Sequence, residues 1–502
     1  MKKIFALFLA VTMLASCLVG CGSEGKDTGA EKDSKSVELS IEVFPATLHP
    51  HEFTTIDEYC IAYQMYEPLV YVKDDNSEQF LLAESYDVSE DGLVYTFQLR
   101  SGVKFHNGEV MTADDVVFSF ESALSDAYMA TYTSAIAGVE KVDESTIAVT
   151  LNAPSAAFMR SQKYISILSK KFCEENNGLN SVACGTGPFA LSEFNDGVSI
   201  AMTAFSDYWQ GASAIPGVTY NYVADDATKI MSFESGDLTF ITVPAADWDR
   251  ISAIPDYKNG SATQDMVTWL CLNSEVAPLD NLLVRQAVYC AVDKESALIM
   301  AANGTGTVAN TLADPRIING ATDDFNYLTY DLEKAKSLLA EAGYPDGVDL
   351  GEILYIGGSE YEKIAVATQS SLAEAGITVA LHSMDSSAIF GEIASGNFTV
   401  CCFGSGLGRD YSLYSQLYTT EYLNSLDLCR LQDPEVNAAF AKAAVTIDAG
   451  ERNAIYKELI IELETGAYYI PIYYKNLIWA SDPNFTPNLD DGGVRVYYST
   501  FN

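Results

Sequence analysis

Asp91-Gly92-Leu93-Val94-Tyr95-Thr96-Phe97-Gln98-Leu99-Arg100-Ser101-Gly102-Val103-Lys104-Phe105-His106-Asn107-Gly108, with Thr112-Ala113-Asp114-Asp115-Val116 just after it, is the stretch from which the rest of the chain is read. Asp91-Gly92 is a turn signal, residues 93–99 alternate in polarity as a half-buried strand does, and Asn107-Gly108 is a second turn. Thr112 then offers a hydroxyl at a helix N-cap, with Asp114 and Asp115 in the first turn and an apolar-periodic run at 116–124. The same grammar recurs downstream. Residues 146–151 alternate as a strand, and residues 331–342 read as a helix closed by Gly343 with Pro345 beyond. Residues 364–375 read as another helix, closed by Gly376 and followed by a strand at 377–381. Strands interleaved with helices predict α/β layering.

Outward from this core, the N-terminus says where the protein works. Met1-Lys2-Lys3 is a positive start, an apolar run covers 4–14, and Leu18-Val19-Gly20-Cys21 ends it. The run is well short of the roughly 20 residues a membrane-spanning helix needs, so an export signal is predicted over 1–20. The tetrad resembles the bacterial lipobox, which implies cleavage before Cys21 and lipid on that residue. Residues 21–36 hold almost no apolar side chain and read as a flexible tether. The expected location is therefore extracytoplasmic, with membrane attachment through the lipid only.

The remaining chain has room for about three domains of ordinary size and shows no second long apolar segment. Lys+Arg 29 against Asp+Glu 69 gives −40, and loss of Lys2 and Lys3 with the leader takes this to −42. Such a surface repels phosphate backbones, which argues against nucleic acid as a partner. Of the ten cysteines, Cys17 and Cys21 belong to the leader region. Cys60, Cys173, Cys184, Cys271, Cys290, Cys401, Cys402 and Cys429 form no CxxC pair, so most are expected to be small buried apolar residues. Cys173 and Cys184 flank a loop and could bridge. No paired Cys or His spacing suits zinc, and no cofactor is expected.

Leu48-His49-Pro50-His51, Tyr66-Glu67-Pro68-Leu69-Val70, Leu82-Ala83-Glu84-Ser85-Tyr86, the opening stretch, Gly185-Thr186-Gly187-Pro188-Phe189, Asp207-Tyr208-Trp209-Gln210-Gly211, Val284-Arg285-Gln286-Ala287-Val288 and Ile470-Pro471-Ile472-Tyr473 follow one another in order. Together they resemble the family 5 extracellular solute-binding proteins, the peptide and nickel branch of ABC-importer receptors. The resemblance implies an α/β, two-lobed periplasmic-binding-protein-like fold of the large, peptide-binding type II class. It also implies a two-segment hinge and an extra subdomain, about 61–184, in the first lobe. By that pattern residues 37–270 and 475–502 form lobe I and residues 271–474 form lobe II, with crossovers near Trp269 and Lys475. Closing on a ligand, rather than catalysis, is the implied activity, with permease subunits as partners and a monomer as the working unit.

The candidate site follows from the same resemblance. Cys402-Phe403-Gly404-Ser405-Gly406-Leu407-Gly408-Arg409-Asp410-Tyr411 is a glycine-rich loop, expected to follow a strand at 398–403. It lacks the Lys and Ser/Thr of a nucleotide loop. In the family a Gly-Trp-x-Ala-Asp-Tyr-like pattern stands here, and its aspartate pairs with a peptide's N-terminal ammonium. Gly406, Asp410 and Tyr411 match that pattern, Leu407 replaces the tryptophan, and Arg409 is Asp410's immediate neighbour. Asp410 either meets an ammonium or caps a turn and pairs with Arg409.

Thr54, Thr55 and Ile56 occupy the segment that lines the cleft in peptide-binding relatives, or else an ordinary surface loop. Trp269 either stacks on ligand or serves the core. Residues 355–360 hold none of the arginine that dipeptide-type members use for a ligand carboxylate. A long peptide, or a ligand without a free carboxylate, therefore fits better than a dipeptide.

Other readings stay open. The same scaffold could bind an oligosaccharide or a metal chelate, or present peptide signals to a sensor. His49 and His51 make a His-x-His pair, but four histidines in the whole chain leave little for a coordination shell. An anchored hydrolase would need a Gly-x-Ser-x-Gly elbow, a His-Glu-x-x-His or a Ser-x-x-Lys motif, and the body carries none. A paired-carboxylate glycosidase is not settled by counting acids.

Overall fold

In the computed structural model the described residues are 35–73, 77–176, 178–315, 327–407, 411–490 and 493–502. The signal at 1–20, Cys21 and all of the tether but Lys35 and Ser36 lie outside them, as do Arg409 and Asp410. Among the described residues no helix is long and apolar enough to cross a membrane.

The opening stretch folds as its residues require. Val94–Leu99 pairs antiparallel with Ala83–Val88 on one side and Thr146–Leu151 on the other, and Ile136–Asp143 completes a four-stranded sheet. The helix Ala113–Ser125 starts on Thr112, whose side chain accepts from Asp115 N while Asp115 answers at the Thr112 backbone. Val116 and Phe120 of that helix share one core with Phe97, Ile147 and Val149 of the sheet. This is the extra subdomain.

A second four-stranded sheet runs in the order Val37–Ile41, Gly217–Tyr222, Ser199–Ala204, Phe189–Asn195, with its first pair parallel. Its core takes in Phe485, Val494 and Val496, so the end of the chain returns to the sheet that holds its start. The largest sheet, of seven strands, extends into the other body. There Val348–Ile356 lies parallel to both Val400–Ser405 and Ile377–Met384, and the helix Glu360–Glu374 makes the crossover between Val348–Ile356 and Ile377–Met384. Gly343 and Gly376, at φ +95° and +82°, end the helices before them as expected. The second of those helices begins at Glu360 rather than 364, because the Ser359 side chain caps it by accepting from Tyr361 N.

Two long strands, Lys258–Leu272 and Tyr469–Ser481, pair antiparallel and run from one body into the other. Lys258 to Thr263 pairs with Ser481 to Asn476, beside Phe240–Thr242, and Val267 to Cys271 pairs with Tyr474 to Tyr469, beside Val400–Ser405. The ladder is interrupted between Thr263 and Val267. The fold is thus the two-lobed α/β arrangement with two crossing segments and an extra subdomain. The eight cysteines of the described body are free thiols, Cys173 and Cys184 included. Burial pushes both of those thiols up to about 11.

Candidate ligand-binding site

The helix Ile56–Met65 organises the wall of the first lobe. Thr55 caps it, and the Glu58 carboxylate accepts from the backbone N–H of both Thr54 and Thr55, at 2.9 Å each. Those amides are therefore used within the cap, while Ile56 is exposed. Tyr59 and Tyr63, four residues apart, fall on one face of the helix and stack with centroids 6.4 Å apart.

The row continues in both directions. Tyr164 meets Tyr59 edge-on at 5.3 Å and stacks on Tyr132 at 4.1 Å, and Tyr71 meets Tyr63 at 5.8 Å. Two cations are set into it. Lys163, 3% exposed, holds Nζ 5.0 Å from the Tyr164 ring centroid and 5.6 Å from that of Tyr71. The Arg495 guanidinium carbon lies 3.6 Å from the centroid of Tyr63 and 4.4 Å from that of Tyr71.

Beside this row a cavity of about 380 Å3 opens between the helix, the Val70–Val72/Glu78–Phe80 hairpin and the C-terminal tail. Glu67 lies on its lining and is buried. Its carboxyl accepts from Tyr208 Oη (2.7 Å), Thr186 Oγ1 (2.9 Å) and Trp209 Nε1 (3.1 Å). Burial pushes it up to about 7, against the pull of those donors and of Arg100, which sits over the Trp209 ring.

Here the ordered motifs gain a physical reason. A Cβ on Gly185 would come 2.0 Å from Met65 O, and one on Gly187 would come 2.6 Å from Met65 C, so both must be glycine for this loop to lie against the helix. Their close approach delivers Thr186 to Glu67. His106 locks the loop, with Nε2 3.0 Å from Gly187 O and Nδ1 accepting from Gly185 N, and burial lowers its pKa to about 4. His51 is likewise buried, with Nε2 3.0 Å from Ser166 O and its pKa lowered to about 3.

On the second lobe the strand Val400–Ser405 leads into the glycine loop, shifted by two residues from the expected 398–403. Gly406 is required where it stands, since a Cβ there would come 2.2 Å from Asp265 O. Leu407 is half-buried against the lobe's core. Trp269 belongs to that core, 2% exposed, with Nε1 donating to Ser405 Oγ at 3.0 Å. Tyr411 is also a core residue, stacked on Tyr414 at 4.8 Å and on Phe440 at 5.8 Å. Both were candidates for ligand contact, and both rings are enclosed by protein. Near the crossing, Glu360 pairs with Lys475 and accepts from Tyr473 Oη. The two bodies also touch where Ala156 N donates to Ala444 O at 3.1 Å.

The sequence reading missed the tyrosine row and Arg495. Tyr59 and Tyr63 carried a local signal in their spacing. Tyr71, Tyr132, Tyr164 and Arg495 are brought in from distant segments.

Residues 79–424 match the sequence model of the bacterial extracellular solute-binding proteins, family 5 (middle). The chain is a member of the family 5 extracellular solute-binding proteins, as the ordered motifs indicate. It is 28% identical to the heme-binding protein A of Haemophilus influenzae, over 94% of this chain and 93% of that protein. It is also 28% identical to the nickel-binding periplasmic protein of Escherichia coli, over 87% and 88% of the two chains. Among solved structures, HbpA2 from Haemophilus parasuis superposes with a TM-score of 0.84 at 25% identity, over 93% of this chain and 100% of that one.

Proposed function

We propose that this protein is the lipid-anchored solute receptor of an ABC importer, tethered outside the membrane through Cys21. It captures peptides between its lobes and hands them to membrane permease subunits, as a monomer and without catalysis. Relatives named for heme and for nickel span nearly the same length, so the scaffold alone does not select the ligand. Peptide is the reading that Asp410 favours, because a carboxylate in that loop suits a terminal ammonium.

The observation that carries the receptor reading is the pair of strands that crosses from one body to the other and loses its register between Thr263 and Val267. In this reading 37–270 with 475–502 is one lobe and 271–474 the other. Bending is concentrated at 263–267 and opposite it at Tyr474 to Asn476. Two crossings restrict motion to one closing mode, and a ligand that touches both lobes stabilises the closed form.

The test is a thermal-shift screen of the body with its tether, lacking the leader and Cys21, against peptides of graded length, oligosaccharides, and nickel with histidine. A ligand that binds only the folded state raises Tm with concentration. Peptides are expected to do so, and Asp410→Asn to weaken those with a free N-terminus. A response to sugars or chelates alone would overturn the peptide reading.

A further inference from the structure

The extra subdomain and the second lobe meet at a place that the crossing strands do not make. Ala156 N donates to Ala444 O at 3.1 Å. Neither residue belongs to the seven-stranded sheet that carries the crossing, and the subdomain has a sheet of its own. Asn303 Nδ2 also joins the two bodies, donating to Ala245 O at 3.1 Å, but it stands just before Gly306–Val308, which pairs with Lys475 to Tyr473 at the crossing itself.

Both groups of the Ala156–Ala444 bond are ends that local structure leaves open. Pro434–Val445 is a helix, and the carbonyls of its last turn, Ala444 O among them, have no amide partner within it. Thr446 takes up two of them, through N on Ala443 O and through Oγ1 on Lys442 O at 2.8 Å. Ala156 stands just before the short helix Phe158–Gln162, in a turn closed by Phe158 N on Ser155 O. Its own amide has no acceptor in that turn, so the two open groups satisfy each other across the lobes.

Side chains complete the contact. The place a Cβ would take on Gly92 lies 3.4 Å from Pro154 Cβ and 3.5 Å from Ile447 Cγ1, so Ile447 of the second lobe sits against the turn at Gly92. Each side is held in shape by its own bonds. Gly92 N donates to Ser89 O, while the Ser89 and Asp91 side chains accept from Val94 N and Leu93 N. Opposite them Arg452 Nη1 donates to Thr446 O (2.9 Å) and Ile447 O (3.0 Å), which fixes the loop that carries Ile447. The Arg452 charge also reaches the subdomain: burial and Glu78 raise the pKa of Tyr95, and Arg452 draws it down.

Resting on the receptor reading above, with its hinge at 263–267, we propose that the extra subdomain latches the closed receptor, through Ala156 N on Ala444 O and Ile447 on the Gly92 turn. Opening at the hinge parts these groups, so the latch belongs to the closed form and shifts the balance toward it. Water replaces the bond on opening, which keeps the gain modest. A solute held between the lobes then leaves more slowly, by the same factor whatever the solute, because the latch acts on closure and not on recognition.

The experiment compares the body with its tether and its variants by small-angle X-ray scattering without added solute, and by calorimetry and stopped flow with each solute that raises Tm. Ala156→Pro removes the N–H alone, since proline suits the second position of the Ser155–Phe158 turn, where Ala157 follows at φ −84° and ψ −11°. Ala156→Gly keeps the N–H and serves as the control. Ile447→Ser removes the apolar contact at a residue that is 45% exposed. Ala156→Pro and Ile447→Ser are each expected to enlarge the radius of gyration, the double variant more so, and Ala156→Gly to leave it unchanged. Affinity should fall about three- to tenfold in each, through faster dissociation and by one common factor across solutes. Circular dichroism checks that each variant is folded, and if Ala156→Pro is not, Ile447→Ser decides.

A folded double variant that scatters as the unaltered protein does would overturn the latch, and so would an unchanged dissociation rate. A loss confined to one solute would also overturn it, by placing these residues against that ligand. Failure to bind any solute would instead overturn the receptor reading, and the scattering comparison would still judge the contact.

Discussion

Glu67 in the first lobe and Glu464 in the second are both buried, and the two are kept in different ways. Glu67, beside the cavity of the first lobe, is surrounded by neutral donors: a tyrosine, a threonine and a tryptophan. Glu464, in the second lobe, accepts from Leu312 N and faces the cation of Lys294, whose Nζ donates to Tyr289 Oη (2.7 Å) and Ala309 O (2.9 Å). Burial pushes both acids up to about 7 and Lys294 down to about 7. A set of neutral donors tolerates either protonation state of its acid. Glu464 and Lys294 are not in direct contact, and each leans on the other's opposite charge only through space. The comparison teaches that equal burial and equal pKa direction do not mean equal dependence on charge.

Removing one partner from the second lobe gives the largest effect. Glu464→Ala strips the buried Leu312 N of its acceptor and Lys294 of the opposite charge near it, and is expected to cost about 3 kcal/mol in urea unfolding. The double variant Lys294→Met/Glu464→Leu removes both charges and should recover most of that loss. If the double variant is as unstable as the single one, the packing around Glu464 matters and its charge does not.

The pH response separates the two regions next. Glu67 titrates near 4.5 when unfolded and near 7 when folded, so the folded state holds more protons between those values. Its stabilisation is fully present below about pH 4.5 and is lost as pH rises through about 7, a change of about 1–3 kcal/mol. Glu464, and Asp427 with its raised pKa, act in the same direction. Lys294 falls from 10.5 to about 7, so the folded state holds fewer protons in that range and stability rises with pH across it. Glu67→Gln should flatten the decline toward pH 7 and leave the alkaline rise intact, whereas the double variant should remove the rise. An alkaline rise that persists in the double variant would assign it to another group.

The local elements were legible in the sequence because each carries its own start and stop. Thr112 with Asp115, Gly343 and Gly376 act on neighbours within a few residues. The motifs were legible as markers, but not in their work. Nothing in Gly185-Thr186-Gly187 says that it lies against Met65 in order to present Thr186 to Glu67. Tyr411 drew attention through its place in the glycine loop and Trp269 through its place at the crossover, while burial, a property of the folded body, encloses both in the core. Arg495 and Tyr63 stand more than four hundred positions apart, and no periodicity links them.

The smallest effect tests whether the segment of Thr54, Thr55 and Ile56 acts through its cap alone. Thr55→Ala removes the hydroxyl that accepts from Glu58 N and donates to the Glu58 carboxylate, a loss worth about 1 kcal/mol. The amides of Thr54 and Thr55 still reach Glu58 in that variant, so the chain keeps its path into the helix that carries Tyr59 and Tyr63. Stability by urea unfolding should therefore fall while the affinity for a responding peptide stays within about twofold. A tenfold loss of affinity at unchanged stability would put the Thr55 side chain against the ligand and make this segment part of the site rather than its support.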